Sequence, residues 1–105
     1  MTFEEFNTLK AEQPAVMLYF FNDVCGVCHT LRPKVENLLM EEFPKVRFVP
    51  VNALESMELA GQLRMLSVPG MLLFLDGKEY LRYNGMVSLQ ELESKIFRPY
   101  HLMFD

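Results

Sequence analysis

Apolar residues fall along this chain in two rhythms, and the change from one to the other marks out its elements. Val16-Met17-Leu18-Tyr19-Phe20-Phe21 is an unbroken apolar run, of a length that suits a buried strand and is short for a helix. Further on, Leu31, Val35, Leu38 and Leu39 repeat at the i, i+4, i+7, i+8 spacing of one helix face, and Phe43-Pro44 closes that helix. Upstream, Thr2 with Glu5 forms a capping box that opens a first helix. Its stripe is Phe3, Phe6 and Leu9-Lys10, and Pro14 ends it.

The second half of the chain reads in the same way. Val46-Arg47-Phe48-Val49-Pro50-Val51 predicts a strand. Proline cannot donate to a sheet ladder, so Pro50 suits an edge position. Asn52 and Glu55 predict a capped helix running through Met57, Leu59-Ala60 and Leu63 to about Met65. Met71-Leu72-Leu73-Phe74-Leu75 and Glu79 to Tyr83 are two strands around Asp76-Gly77, a strong hairpin signal. Tyr80, Leu81 and Tyr83 are expected to pack on the sheet. Ser88 and Glu91 cap a last helix that Pro99 is expected to stop, leaving the apolar tail 100–105 to fold back on the domain. That tail could instead meet a second copy of the chain, since exposed apolar patches mark interfaces.

Composition narrows the function classes. A length of 105 residues with half of them apolar fits one domain over 1–105 with a proper core. Lysine and arginine number 10 against 14 acids, a net charge of −4, and no basic cluster stands out. Neither a nucleic-acid footprint nor an electrostatic membrane attraction follows. No apolar run approaches the roughly 18 residues of a membrane helix. The acidic start Met1-Thr2-Phe3-Glu4-Glu5-Phe6 lacks the pattern of an export signal. A cytoplasmic location is expected; a mature exported protein without its leader would read the same way.

The candidate chemistry lies where the first strand hands over to the long helix. Cys25-Gly26-Val27-Cys28 holds the only two cysteines in the chain. A helix N-terminus has unpaired N–H groups and a partial positive charge, so it favours a thiolate, the reactive form of cysteine. Cys25 should ionise readily there, and Cys28, one turn in, should be less exposed and close the disulfide. Gly26 permits the tight turn that a short ring needs. Asp23 is expected to be a solvated turn residue. Pro33 lies inside the helix and is expected to kink it.

Strand, Cys-Gly-x-Cys, helix and Pro33 together resemble the thioredoxin superfamily. So do Val68-Pro69 before an apolar strand and turn, and Gly85 before the last helix. The resemblance covers roughly residues 15–97. It implies an α/β thioredoxin-like fold: a central four-stranded mixed sheet flanked by helices, in the order 46–51, 15–21, 71–75, 79–83. The family's first strand has no room here, which leaves strand 46–51 at an edge.

The resemblance also implies a thiol–disulfide oxidoreductase, with Cys25 as nucleophile and Cys28 as resolving thiol. Val68 and a cis Pro69 would pair with the substrate backbone. Gly26, Val27 and Gly70 would complete the substrate surface. Partners would be disulfide-containing proteins and an upstream reductase or oxidant. The net direction expected is reduction of substrate, and no bound cofactor is required.

Four positions depart from the family pattern. Tyr19 stands where the family has a buried acid, and a phenol with a pKa near about 10 is a poor base at neutral pH. Val24 replaces the usual tryptophan, Val27 the proline common in reductases, and Gly70 a frequent threonine. Tyr19, Val24 and Gly70 keep open a second reading, a non-enzymatic thioredoxin-fold binding module in a redox pathway, while Val27 bears on the direction of exchange. Cys-x-x-Cys-His also matches the attachment motif of a c-type haem. The strand before it, however, is unlike a small helical cytochrome. Zinc on Cys25, Cys28 and His29 would need His101 as a fourth ligand, and no metal site is expected.

Overall fold

The computed structural model describes residues 1–105. Its elements follow the order α1 (Phe3–Glu12), β1 (Ala15–Phe21), α2 (Gly26–Glu42), β2 (Arg47–Asn52), α3 (Met57–Gln62), β3 (Gly70–Leu75), β4 (Lys78–Asn84) and α4 (Leu89–Phe104). The strands form one sheet in the order β2-β1-β3-β4. β1 runs parallel to β2 and antiparallel to β3, and β3 pairs antiparallel with β4. This is the mixed order that the apolar pattern and the resemblance predicted.

β1 is central because both its faces are covered. Its first six residues are buried, and they alternate between two cores. Met17 and Tyr19 join Leu31, Val35, Leu39 and Phe43 of the α2 side and Leu92, Ile96 and Tyr100 of α4. Val16, Leu18 and Phe20 point the other way, to Phe6 of α1 and Leu59 and Ala60 of α3. The period of two along a strand therefore sends one apolar run into two layers.

The ends of the elements show where local signals act and where packing overrides them. The capping box of α1 forms as predicted. The Glu5 amide donates to the Thr2 hydroxyl at 3.0 Å, and the Thr2 amide donates to the Glu5 carboxylate at 2.8 Å. Those bonds hold the Glu5 carboxyl below its usual range. Asp76 and Gly77 both take positive φ, 53° and 80°, the geometry of the tightest hairpin turn. β2 is an edge strand, and Pro50 sits in it opposite Tyr19. α2 is a single helix through Pro33.

Two boundaries differ from the sequence expectation. α3 begins at Met57 rather than just after Asn52, and its N-cap, Ser56, makes no side-chain cap bond. The Asn52 carboxamide oxygen instead accepts from the amides of Leu54 and Glu55 at 3.0 and 3.4 Å. Asparagine bonded to its own downstream backbone makes a turn that competes with helix.

α4 runs on through Pro99 to Phe104. Proline forfeits one helical hydrogen bond there, but the turn beyond it is held by packing. Tyr100 is buried with its ring edge-on to Phe43 at 5.1 Å, and the Phe104 ring packs at a tilt against Tyr100 at 4.8 Å. The Tyr100 hydroxyl also accepts from the Lys45 amide at 3.1 Å. The tail does pack on its own core, as helix rather than as a folded-back strand of chain. On β4, Leu81 and Tyr83 pack against the core as expected, while Tyr80 is exposed.

Candidate active site

The site gathers at the C-terminal end of β1. Phe21 ends the strand, and a three-residue loop, Asn22 to Val24, carries the chain to Cys25, the N-cap of α2. Three bonds shape the loop. The Cys25 amide donates to the Asn22 carbonyl at 3.3 Å, and the Val24 amide donates to the Asn22 side-chain oxygen at 3.1 Å. Asn52, at the end of β2, donates to the Asp23 carboxylate at 3.3 Å. Asp23 is exposed and acts as a turn residue. His29 is an exposed helix residue whose ring lies edge-on to Phe21.

Cys25 and Cys28 are joined by a disulfide, with Cα atoms 5.3 Å apart. Cys25 is partly exposed; Cys28 is fully buried. The Cys28 amide donates to the Cys25 sulfur at 3.1 Å. One of the unpaired N–H groups at the helix start is thus aimed at Cys25 Sγ, where a thiolate would sit after reduction.

Beneath the disulfide lies Tyr19. Its ring is fully buried, and its hydroxyl donates to the Cys28 carbonyl at 2.7 Å. Burial raises its pKa above the ordinary 10.0, with Arg32 pulling weakly the other way. The neutral phenol is therefore the form that the fold prefers. Because the folded value lies above the unfolded one, this contribution is complete below pH 10 and is lost as pH rises through the folded value. Tyr19→Phe is expected to cost about 0.5–1.5 kcal/mol at neutral pH through the lost hydrogen bond. Above pH 10 the variant should lose less stability than the parent, as read by urea unfolding at each pH. Tyr83, also raised chiefly by burial, keeps part of the alkaline loss in both proteins.

Val68 and Pro69 arrive from the far side of the sheet. Gly70 pairs with Phe20, so the two residues before it stand beside the end of β1. Their peptide bond is cis. The Gly85 amide donates to the Pro69 carbonyl at 2.8 Å, which fastens this segment to the end of β4. Gly70 itself is buried and lines no surface. A Cβ there would sit 2.4 Å from Met65 Sδ, so Met65 fills the space that a larger residue would take.

A groove of about 560 Å³ opens beside the cysteines, lined by Gly26, Val27, Thr30, Leu31, Lys34 and Met86. Gly26 and Val27 were legible from the motif; Met86 was not. It follows Gly85 and belongs to no sequence signal, although its side chain is exposed. Val24 and Leu66, 89% and 86% exposed, add apolar surface in the segments flanking the same end of the sheet. A second groove, of about 540 Å³, lies between Pro14, Leu39, Phe48 and Phe104, at the other end of α2.

The metal ligand set weighed from sequence does not assemble. His101 packs on Phe43, just past the C-terminus of a 17-residue helix whose N-terminus bears the cysteines. At 1.5 Å per residue this separates them by about 25 Å. No group of three His, Cys, Asp or Glu side chains is placed to hold an ion.

A disulfide at a helix mouth, at the end of a central strand in a mixed four-stranded sheet, defines a thioredoxin-type redox site. The sequence profile of the thioredoxin family matches residues 1–98. The chain is 35% identical over 85 residues to the thioredoxin-like protein YdfQ of Bacillus subtilis, covering 81% of this chain and 75% of that one. It is 35% identical over 81 residues to a thioredoxin of Chlamydia pneumoniae, covering 77% and 78%. The X-ray structure of Fasciola hepatica thioredoxin superposes with a TM-score of 0.82 at 30% identity, over 92% of this chain and 93% of that one. The chain belongs to the thioredoxin family and is a thiol–disulfide oxidoreductase.

Proposed function

We propose that the chain reduces disulfides in proteins, with Cys25 as nucleophile and Cys28 as resolving thiol. The observation that carries the assignment is the asymmetry of the pair: Cys25 is accessible and faces a helix N–H, while Cys28 is sealed in the core. In the dithiol form, the Cys25 thiolate attacks one sulfur of a substrate disulfide and the other sulfur leaves as a thiolate. Cys28 then passes its proton to the substrate thiolate just released, or to water, and attacks Cys25 Sγ. The mixed disulfide breaks, the second substrate thiol departs, and two electrons have passed from the pair to the substrate. An external dithiol reductant restores the starting state.

In this reading the Val68 backbone, held before cis Pro69, pairs with an extended substrate segment. Gly26, Val27 and Met86 give that segment an apolar seat. The reducing direction is supported by the thioredoxins among the relatives. A reducing compartment such as the cytoplasm suits this direction. The reading is tested by equilibrating the pair against a glutathione or dithiothreitol series, because a pair without a reversible two-electron couple cannot do this chemistry.

A further inference from the structure

Arg82 stands on β4, and the exchange chemistry uses it nowhere. Its guanidinium nonetheless makes four hydrogen bonds. Nε and Nη2 donate to the two carboxylate oxygens of Glu79 at 3.0 and 2.8 Å. Nη2 also donates to the Leu63 carbonyl at 2.7 Å, and Nη1 to the Arg64 carbonyl at 3.2 Å. The Glu79 carboxylate thus holds the planar fork in one orientation, and the fork's remaining protons reach the backbone. Glu79 is held below the usual carboxylate range by these bonds, so it stays charged.

The two carbonyls are at a particular place. They close α3, where Arg64 turns into the left-handed region at φ 57°. Residues 65–69 follow directly and contain the cis Val68–Pro69 bond. The far end of this segment is fixed to β4 as well, by the Gly85 amide on the Pro69 carbonyl. A short segment with no regular structure, exposed at Leu66 and Ser67, is therefore held to one strand at both ends.

We propose that Arg82 is a positioning residue for substrate binding: by clamping the end of α3 to β4 it fixes the Val68 backbone where a substrate segment pairs. The proposal rests on the reading of Val68 as that pairing edge. Lysine cannot replace the clamp, since an ammonium lacks the planar fork that serves a carboxylate and two carbonyls together. Neither cysteine is on an element that Arg82 touches. Its loss should weaken substrate binding and spare the chemistry of the pair.

The test is Arg82→Met, which keeps an unbranched side chain along the strand, compared with the parent in the reduction of insulin. KM is expected to rise about fivefold or more with kcat within about twofold, the pattern of lost uniform binding. The reduction potential of the pair should be unchanged. A KM within twofold of the parent overturns the proposal, and so does a parallel fall in kcat and a shift in potential, which would mark general damage. If the methionine variant does not fold, Arg82→Lys replaces it, with the same split expected and the same outcomes decisive. If the parent itself fails to reduce insulin, the substrate-reduction reading has failed separately, and amide exchange then decides on Arg82. Exchange at Met65 and Gly85 about tenfold faster in the variant supports the clamp; unchanged exchange overturns it.

Discussion

Cys25→Ser is expected to lower the rate of disulfide reduction by at least about a thousandfold, the scale on which losing an activated nucleophile acts. Cys28 cannot substitute for it, because its side chain is fully buried and no substrate sulfur can reach it. Cys28→Ser should fail differently. Cys25 still has the Cys28 position's amide N–H aimed at its sulfur, so the first attack proceeds and the second cannot. The variant should collect a covalent adduct with the substrate, seen as a shifted band on a non-reducing gel and removed by dithiothreitol. A non-enzymatic binding module gives another result. Its partner would stay bound without a disulfide, and both serine variants would bind like the parent.

The largest loss of stability is expected from Phe6→Ala, about 3–5 kcal/mol. Phe6 is the one buried residue of α1. It lies edge-on to Phe74 of β3 at 5.0 Å, with the Lys10 ammonium 5.2 Å from its ring centroid. The other apolar residues that α1 packs on this core, Phe3 and Leu9, are only partly buried, so truncation leaves a cavity and loosens the helix together. For a domain of this size the midpoint of thermal unfolding should fall by about 15 °C or more. The cysteines lie at the start of α2, which packs on the opposite face of the sheet. The potential of the pair in the folded variant should therefore match the parent's.

Those two expectations show which parts of the molecule the sequence made legible. β1 and β3 were readable as short apolar runs bounded by turn residues, and Asp76-Gly77 fixed the hairpin to the more polar β4 through φ alone. Pro50 signalled the edge, because a residue without an N–H suits a strand with one free side. The cysteine pair was readable from its spacing, and the handover from strand to helix predicted which member would be exposed.

The misreadings arise where one local signal is overruled, either by a competing local turn or by packing against other parts of the chain. Asn52 carries a capping residue's chemistry, yet it spends its oxygen on a turn before α3. Pro99 carries a helix-stopping signal, yet Tyr100 and Phe104 have a core to join 55 residues away, at Lys45 and its neighbours. Gly70 was expected on the substrate surface, but Met65 fills the space beside it and the glycine is buried. Met86 and Arg82 gave no signal at all. One matters through the loop that it ends up beside, the other through carbonyls 18 and 19 residues upstream. Neither relation has a period or a motif.

Tyr19 stands between the two cases. Its departure from the family's acid was visible in the sequence, and so was its weakness as a base. That its hydroxyl would tie the first turn of α2 to the sheet, through the Cys28 carbonyl, came only with the structure.

The measurement that bears most directly on the account is the equilibrium reduction potential of the Cys25–Cys28 pair, taken at pH 7 against a glutathione or dithiothreitol series. The account predicts one reversible two-electron couple nearer to about −270 mV than to −180 mV, as for a protein that reduces disulfides. A value of about −180 to −120 mV would reverse the direction of the reaction, and the absence of a reversible couple would remove the catalytic role of the pair altogether.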